Sequence, residues 1–109
     1  MLSFNKLKKN YTVKDSLVVT KSLITKFANL TKDFNPIHSE NKYSRSTYLR
    51  GPIVHGFSYA IFFSKLVGNK ICKDPIIWLE QSFSFKKKVT IGDKLTLYCK
   101  IKKINTRYR

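Results

Sequence analysis

Residues 56–68 decide the fold, and they read Gly-Phe-Ser-Tyr-Ala-Ile-Phe-Phe-Ser-Lys-Leu-Val-Gly. The stretch follows Gly51-Pro52, a pair that cannot lie inside a helix, and it ends at Gly68, a residue type common at helix C-caps. Apolar side chains occupy both sides of the predicted helix, and a helix that is apolar all round is usually buried. The pattern therefore predicts one long buried helix, opened by Gly56, around which a sheet packs.

Strand-like patterns lie on both sides of this helix. Val13 to Val19 predicts a first strand, and Thr20 is a suitable N-cap for a short helix. The apolar face of that short helix is expected to consist of Leu23, Phe27 and Leu30. Period-two alternation then predicts two later strands, one carried by Ile77, Leu79, Phe83 and Phe85 and one, after a Gly92-Asp93 turn, by Leu95, Leu97, Cys99 and Ile101.

Asp33-Phe34-Asn35-Pro36-Ile37-His38 carries an acid and a base. Five residues separate Asp33 from His38, a spacing that would turn them apart on a helix, so a loop is the better host. Pro36 supports a loop because it fixes its own φ and restricts Asn35. A carboxylate and an imidazole aimed at one place could activate a water molecule. The alternative is an ordinary turn in which Asp33 and Asn35 cap the backbone and His38 satisfies local groups.

Gly56 would stand at the start of the buried helix, where backbone N–H groups favour an oxygen carrying developing negative charge. Without a side chain, the backbone there can approach a substrate closely. A tight entry turn without any ligand is the alternative for Gly56. For His55, the residue before it, we favour a core histidine that is hydrogen-bonded to the backbone.

Three segments together resemble a known family, the MaoC-like (R)-specific enoyl-CoA hydratases. They are residues 27–38, residues 52–56, and residues 79–86 running into Ile91-Gly92-Asp93, and they match in order and spacing. The resemblance covers about Val13 to Ile104. It implies an α+β hot-dog fold, in which an antiparallel sheet wraps a long central helix, and a homodimer whose subunits share the active sites. Residues 1–109 would form one such domain, with a basic N-terminal segment at 1–10 and a basic tail at 105–109.

The resemblance also implies roles for individual residues. Asp33 and His38 match the catalytic pair that holds and activates the water added to a trans-2-enoyl thioester. Gly56 matches the position whose amide N–H binds the thioester oxygen. Ser64 matches a serine that lines the site, and Asn35 matches a loop position that braces the turn, for which a plain turn residue is the alternative.

The chain departs from the family pattern in two places. Many members have glycine before the catalytic aspartate, where this chain has Lys32. Relatives continue for two further strands after the segment matching Leu95 to Ile104, so we expect the last strands of the sheet to be missing. A truncated chain, a shortened gene product, or an assembly that compensates through its partner would each explain this.

Three activities therefore stay open. The first is an (R)-specific enoyl-CoA hydratase or 3-hydroxyacyl thioester dehydratase. The second is a catalytically impaired relative that only binds acyl thioesters or serves as an interaction protein. A hot-dog thioesterase is weaker, because the loop motif suits water addition to an alkene better than hydrolysis.

The composition is that of a compact chain with a single core. At 109 residues the chain can bury one core but not two, and its 42% hydrophobic content excludes disorder across its body. The apolar stretches are far shorter than the roughly 20 residues that cross a bilayer, and residues 1–10 lack the hydrophobic core of a secretory signal. We expect a cytoplasmic protein without a membrane partner.

The formal charge of +16, from 22 basic and 6 acidic residues, raises the question of a nucleic-acid partner. The lysines are scattered, and only Lys86-Lys87-Lys88 forms a tight cluster. Arginines and exposed aromatics interleaved on one surface are not apparent, so we expect no nucleic acid. A basic rim would attract the phosphates of coenzyme A, although a lysine-rich solvated surface is the simpler explanation. Cys72 and Cys99 lack metal-type spacing, and the reaction that the resemblance implies needs no metal or redox cofactor. Coenzyme A or acyl carrier protein would enter only as part of the substrate.

Overall fold

The computed structural model describes residues 1–46, 48 and 50–106. Residues 107–109 of the expected basic tail lie outside this range. The regular elements are strands β1 (Thr12–Val18) and β2 (Lys94–Lys100) and helices α1 (Lys21–Thr31), α2 (Lys42–Ser46), α3 (Gly56–Ala60) and α4 (Phe62–Leu66). Single 3₁₀ turns cover Phe4–Lys6 and Pro36–His38, and a π turn covers Val67–Ile71. Within the described residues, no helix is both long enough and apolar enough to span a membrane.

Strands β1 and β2 pair with each other, as their sequence patterns predict. Exposed and half-buried residues alternate along β1 because successive side chains point to opposite faces. At one end the Val19 N–H donates to the Asp93 carbonyl at 2.9 Å, and the Gly92 N–H donates to the Val19 carbonyl at 2.8 Å. Gly92 adopts a φ of 98°, which confirms the predicted turn before β2.

The predicted strand through Ile77, Leu79, Phe83 and Phe85 is wrong. Residues 75–90 are all described, and none of them belongs to a strand. Ile77 and Leu79 are 83% and 90% exposed. A period-two pattern forms a strand only when its N–H and C=O groups find a ladder partner, and β1 and β2 are the strands that pair in the described part of the chain.

Helix α1 begins where the sequence predicts. The Thr20 Oγ1 accepts a hydrogen bond from the Leu23 N–H at 3.1 Å, which satisfies one of the free donors of the first turn. The helix ends at Thr31, because the next residue, Lys32, adopts a left-handed φ of 63°. Ile24 is its buried residue, whereas Leu30, predicted on the apolar face, is 81% exposed.

The single long helix predicted from Gly56 to Gly68 is replaced by α3, α4 and the π turn. Ile61 separates α3 from α4, and Gly68 lies inside the π turn instead of capping a helix. Phe57 is 58% exposed and Ile61 49%, so the helical residues are not buried all round. A helix face is buried only where another element covers it, and the described sheet has two strands.

The chain divides into two compact units. Of the described residues, the first unit contains 1–16, 61–81 and 96–106, and its buried apolar side chains are Leu66, Ile71, Cys72 and Leu97. The second consists of residues 17–60 and 82–95. Val19, Ile24 and Val54 form the core of the second unit, against which Leu23, Tyr59, Val89 and Leu95 pack. The single domain over residues 1–109 stays a prediction.

Candidate active site

A chain of local hydrogen bonds shapes the loop after α1. The Asp33 N–H donates to the Thr31 hydroxyl at 3.2 Å, the Asn35 N–H donates to the Asp33 carboxylate at 3.2 Å, and the Ile37 N–H donates to the Asn35 side chain at 3.2 Å. Short polar side chains followed by proline favour such turns, because they replace backbone partners locally. The loop is therefore rigid enough to aim the Asp33 and His38 side chains.

Asp33 and His38 lie side by side at the end of this loop. The His38 Nε2 is 4.0 Å from the Asp33 Oδ2. The His38 Nδ1 lies 2.8 Å from the Ile53 carbonyl oxygen, and because a carbonyl can only accept, Nδ1 must carry a proton. That bond fixes the ring and leaves Nε2, on the Asp33 side, as the nitrogen that exchanges a proton. A separation of 4.0 Å leaves room for one water molecule hydrogen-bonded to both groups.

His55 is a core histidine bonded to the backbone, as predicted. It is 3% exposed, and its Nε2–H donates to the Asp33 carbonyl oxygen at 3.0 Å. The same Nε2 lies 3.9 Å from the Asp33 Oδ2, and the His55 ring stacks on the His38 ring with centroids 3.8 Å apart. The His55 Nδ1 is buried without a hydrogen-bond partner among the described residues. His55 thus contacts both members of the acid–base pair from the protein interior.

The residues Asp33, His38 and His55 could also be considered as ligands of a metal ion. Their ligand atoms lie within 4.8 Å of one another. The two imidazole planes, however, are inclined by only 25° and are stacked, so their in-plane lone pairs run nearly parallel and do not converge on one ion. The His55 Nε2–H is also already bound to the Asp33 carbonyl. The arrangement favours proton transfer over coordination.

Two cavities of the second unit meet at this cluster. The smaller, of about 370 Å³, is lined by Phe27, Thr31, Asp33, His38, His55, Gly56 and Phe57. The larger, of about 640 Å³, has the apolar lining residues Ile37, Ile53, Val54, Phe57, Tyr59, Phe85 and Val89, together with Tyr48, His38, Gly56 and Lys86, Lys87 and Lys88. His38, Gly56 and Phe57 line both. A small cavity lined by Asp33, His38 and His55 therefore adjoins a wider cavity that is mostly apolar.

Gly56 lies between these cavities at the start of α3. As the first residue of the helix, its N–H has no acceptor within the helix. A β-carbon on Gly56 would come within 2.9 Å of the Phe85 ring. The missing side chain thus keeps the backbone open at the point where the two cavities meet. Burial raises the pKa of the Tyr59 phenol, which lines the larger cavity, above its ordinary value.

The structure brings four of the five predicted site residues together in the second unit, namely Asp33, Asn35, His38 and Gly56. Ser64 is exposed on α4, in the first unit, and its role stays a prediction. Thr31 and Phe27 were not predicted as site residues. Neither carries a sequence signal beyond its place in the last turns of α1.

Comparison with known proteins agrees with these features. The (R)-specific enoyl-CoA hydratase of Aeromonas caviae is 41% identical over 73 residues, which cover 67% of this chain and 54% of the relative. The (R)-specific enoyl-CoA hydratase of Rhodospirillum rubrum is 32% identical over 93 residues, covering 85% of this chain and 65% of the relative. The chain thus spans between half and two thirds of the length of these two curated relatives.

The chain is also similar in three dimensions to a solved structure. The (R)-hydratase of A. caviae involved in PHA biosynthesis superimposes with a TM-score of 0.85 at 32% identity, over 94% of this chain and 77% of that one. The hot-dog α+β fold implied by the resemblance is confirmed. The MaoC-like domain pattern matches residues 3–109. The chain therefore belongs to the MaoC-like domain family.

Proposed function

We propose that this chain hydrates trans-2-enoyl thioesters to (3R)-hydroxyacyl thioesters and catalyses the reverse dehydration. The observation that carries the proposal is the 4.0 Å separation of the Asp33 Oδ2 and the His38 Nε2 at a cavity that Gly56 also lines. This arrangement supplies a proton acceptor, a proton donor and a backbone N–H around one small space. The names of the relatives support the same class of reaction.

Water would bind between Asp33 and His38. Its oxygen forms the new bond to C3 while one of its protons passes to the Asp33 carboxylate. The protonated His38 gives its Nε2 proton to C2, and the proton held by Asp33 then returns to the His38 Nε2. The Ile53 carbonyl supports both states of the ring because Nδ1 keeps its proton throughout.

The Gly56 N–H would stabilise the transition state. As water attacks C3, electron density moves onto the thioester oxygen, which becomes a stronger hydrogen-bond acceptor. A fixed N–H at that oxygen is worth about 3 kcal/mol in the transition state. The acyl chain would lie against the apolar wall of the larger cavity, next to Phe57 and Phe85. No metal or redox cofactor takes part in these steps.

His55 would act as a positioning residue. It touches no reacting atom in this scheme, but it holds the Asp33 backbone through the 3.0 Å hydrogen bond and supports the face of the His38 ring. A site must hold its groups within a fraction of an ångström to keep its rate.

We further propose that the active form is a cytoplasmic homodimer. Ile77, Trp78 and Leu79 of the first unit are 83%, 45% and 90% exposed. Consecutive exposed apolar side chains favour association, and a second copy of the chain would cover them. Sedimentation velocity would give one species of twice the chain mass, and a monomer at all concentrations would contradict the proposal.

The assay is the loss of enoyl absorbance with crotonyl-CoA, with chiral analysis of the product. Asp33→Asn and His38→Ala should each lower kcat by about 100-fold or more, because each removes one proton-transfer group. Ser39→Ala, at an exposed residue beside the loop, is the control. Full activity in either site variant would reject the roles. Absence of activity with every enoyl thioester would favour the alternative of a catalytically impaired relative that only binds acyl thioesters. Release of free thiol would identify a thioesterase.

A further inference from the structure

One end of the ladder formed by β1 and β2 gathers lysines that are far apart in the sequence. The Asn10 N–H donates to the Ile101 carbonyl at 2.7 Å, and the Ile101 N–H donates to the Tyr11 carbonyl at 3.0 Å. These bonds place residues 8–10 beside residues 101–103. We propose that this end of the ladder, together with the exposed face of the two strands, binds single-stranded nucleic acid, a partner outside the proposed reaction.

The charges at this end of the ladder have one sign. Residues 1–14 and 96–106 contain no aspartate or glutamate, and they carry seven exposed lysines, namely Lys6, Lys8, Lys9, Lys14, Lys100, Lys102 and Lys103. The next carboxylate along β1, that of Asp15, is already compensated, because its Oδ2 lies 3.7 Å from the Lys65 Nζ and 3.9 Å from the Lys70 Nζ. A surface charged so uniformly attracts polyanions.

The exposed face of the ladder adds an aromatic ring among the lysines. Exposed positions alternate along both strands, and the bonds at Tyr11 and Ile101 join the start of β1 to the end of β2, so the strands run antiparallel. Counting from that pair, Lys14 lies opposite Tyr98 on the exposed face, and Lys100 follows two residues along β2. Tyr98 is 63% exposed. Its ring is therefore open to solvent between two lysines, one across the ladder and one along its own strand.

This combination suits a single strand better than a membrane or a duplex. Lysines neutralise phosphates, and an exposed aromatic ring stacks on an unpaired base whatever its identity. The remaining exposed positions within residues 12–16 and 96–100 are hydroxyl residues, Thr12, Ser16 and Thr96, and not the apolar side chains that a membrane surface takes up. A duplex hides the faces of its bases, so it could use the lysines but not Tyr98.

The sequence alone gave no reason to expect this surface. Its lysines are scattered, and no aromatic residues are interleaved with them along the chain. Pairing of β1 with β2 makes neighbours of Lys9 and Lys102, which belong to opposite ends of the sequence. The expectation of no nucleic-acid partner depended on that scatter, which the ladder removes.

The experiment measures fluorescence anisotropy of labelled single-stranded RNA of about 12 nucleotides, and of DNA of the same sequence, at several salt concentrations. We expect a Kd of roughly 1–100 μM at physiological salt. In the variant Lys8→Gln, Lys9→Gln, Lys102→Gln, Lys103→Gln, the affinity should fall about 10-fold or more. The slope of log K against log salt should fall in magnitude by about 3, since each phosphate contact on a single strand contributes about 0.7.

The matched control has the same change of net charge in the second unit. It replaces four exposed lysines by glutamine, Lys21, Lys26, Lys42 and Lys87, and should keep the affinity and the salt slope of the parent chain. All eight substituted side chains are exposed, so neither variant should change the fold, which circular dichroism and urea unfolding check.

Tyr98 gives a test that does not involve charge. Tyr98→Leu should weaken binding by about 10-fold with the salt slope unchanged, because it removes stacking and no cation. Tyr98→Phe keeps the ring and should bind as the parent chain does.

Several results would overturn the proposal. These are no binding of either oligonucleotide by the parent chain at low salt, or an equal loss in both quadruple variants, which would mean that net charge alone attracts the strand. Full binding by Tyr98→Leu together with equal affinity for duplex DNA would reduce the face to a general anion surface. Binding of phosphatidylglycerol vesicles or of polyglutamate without binding of the oligonucleotides would assign the lysines to a membrane or to an acidic protein. None of these measurements involves turnover, so their outcome is independent of the proposed hydratase activity.

Discussion

Replacement of His55 by phenylalanine should separate catalysis from stability. Phenylalanine keeps a flat ring between Phe27, at a centroid distance of 5.0 Å, and His38, at 3.8 Å. It loses the hydrogen bond from Nε2–H to the Asp33 carbonyl, whose net contribution to folding is about 1 kcal/mol. It also removes Nδ1, a buried atom without a partner among the described residues, whose desolvation costs roughly 1–3 kcal/mol.

These two effects oppose each other. The free energy of unfolding of His55→Phe should therefore lie between that of the parent chain and about 2 kcal/mol above it. The rate should respond differently, because a displacement of about 1 Å at a catalytic group lowers the rate by about 100-fold. We expect kcat with crotonyl-CoA to fall by roughly 10- to 100-fold, with KM nearly unchanged.

The measurements are urea unfolding and initial rates with crotonyl-CoA. His55→Gln is the conservative variant, because its amide nitrogen can reach the place of Nε2 and donate to the same carbonyl, so it should recover most of kcat. A fully active, folded His55→Phe would refute the positioning role. A loss of several kcal/mol of stability in step with activity would show that His55 acts only in the core.

Two further predictions concern the loops on either side of the site. Lys32→Gly should stabilise the chain by about 0.5–1 kcal/mol in urea unfolding, because Lys32 has a positive φ of 63°, which glycine adopts without strain. The control Lys26→Gly, inside α1, should destabilise the chain by about 1 kcal/mol. A destabilising Lys32→Gly would contradict this reasoning. The hydrogen bond from Arg45 lowers the pKa of the Glu40 carboxyl in the folded chain. The pair therefore stabilises the fold at pH values above the pKa that Glu40 has in the unfolded chain, and this stabilisation is lost as the pH falls through the pKa that Glu40 has in the folded chain. Arg45→Gln should return the Glu40 carboxyl pKa to its ordinary range in an NMR titration, and an unchanged titration would exclude the pair as the cause.

The features that local chemistry determines could be predicted from the sequence. Thr20 has the side chain that caps a helix, Gly92 accepts the positive φ of its turn, and the Asp33 to His38 segment contains the residue types that form side-chain-to-backbone turns. Strands β1 and β2 also follow their period-two patterns. Each of these depends on contacts between residues near in sequence or on a simple alternation.

The features that were missed depend on partners distant in the chain. The alternation through Ile77 and Leu79 is as regular as that of β2, but the described residues form no strand there and both side chains stay exposed. The left-handed φ of Lys32 follows from the way α1 ends, since lysine has no preference for that conformation. The contact of His55 with the acid–base pair, 22 residues from Asp33, depends on the tertiary fold and has no short-range signal.

The geometry of the site separates two kinds of substitution. Asp33, His38 and His55 are held by hydrogen bonds whose partners all lie within residues 31–58. These three residues line the smaller cavity. The apolar wall formed by Ile37, Tyr59 and Phe85 lines the larger cavity and is absent from the lining of the smaller one. Substitutions in the first group should therefore change kcat, and those in the apolar wall of the larger cavity should change KM. Gly56, which lines both cavities, is the position where the two parameters should change together, because Gly56→Ala would place a methyl group against the Phe85 ring.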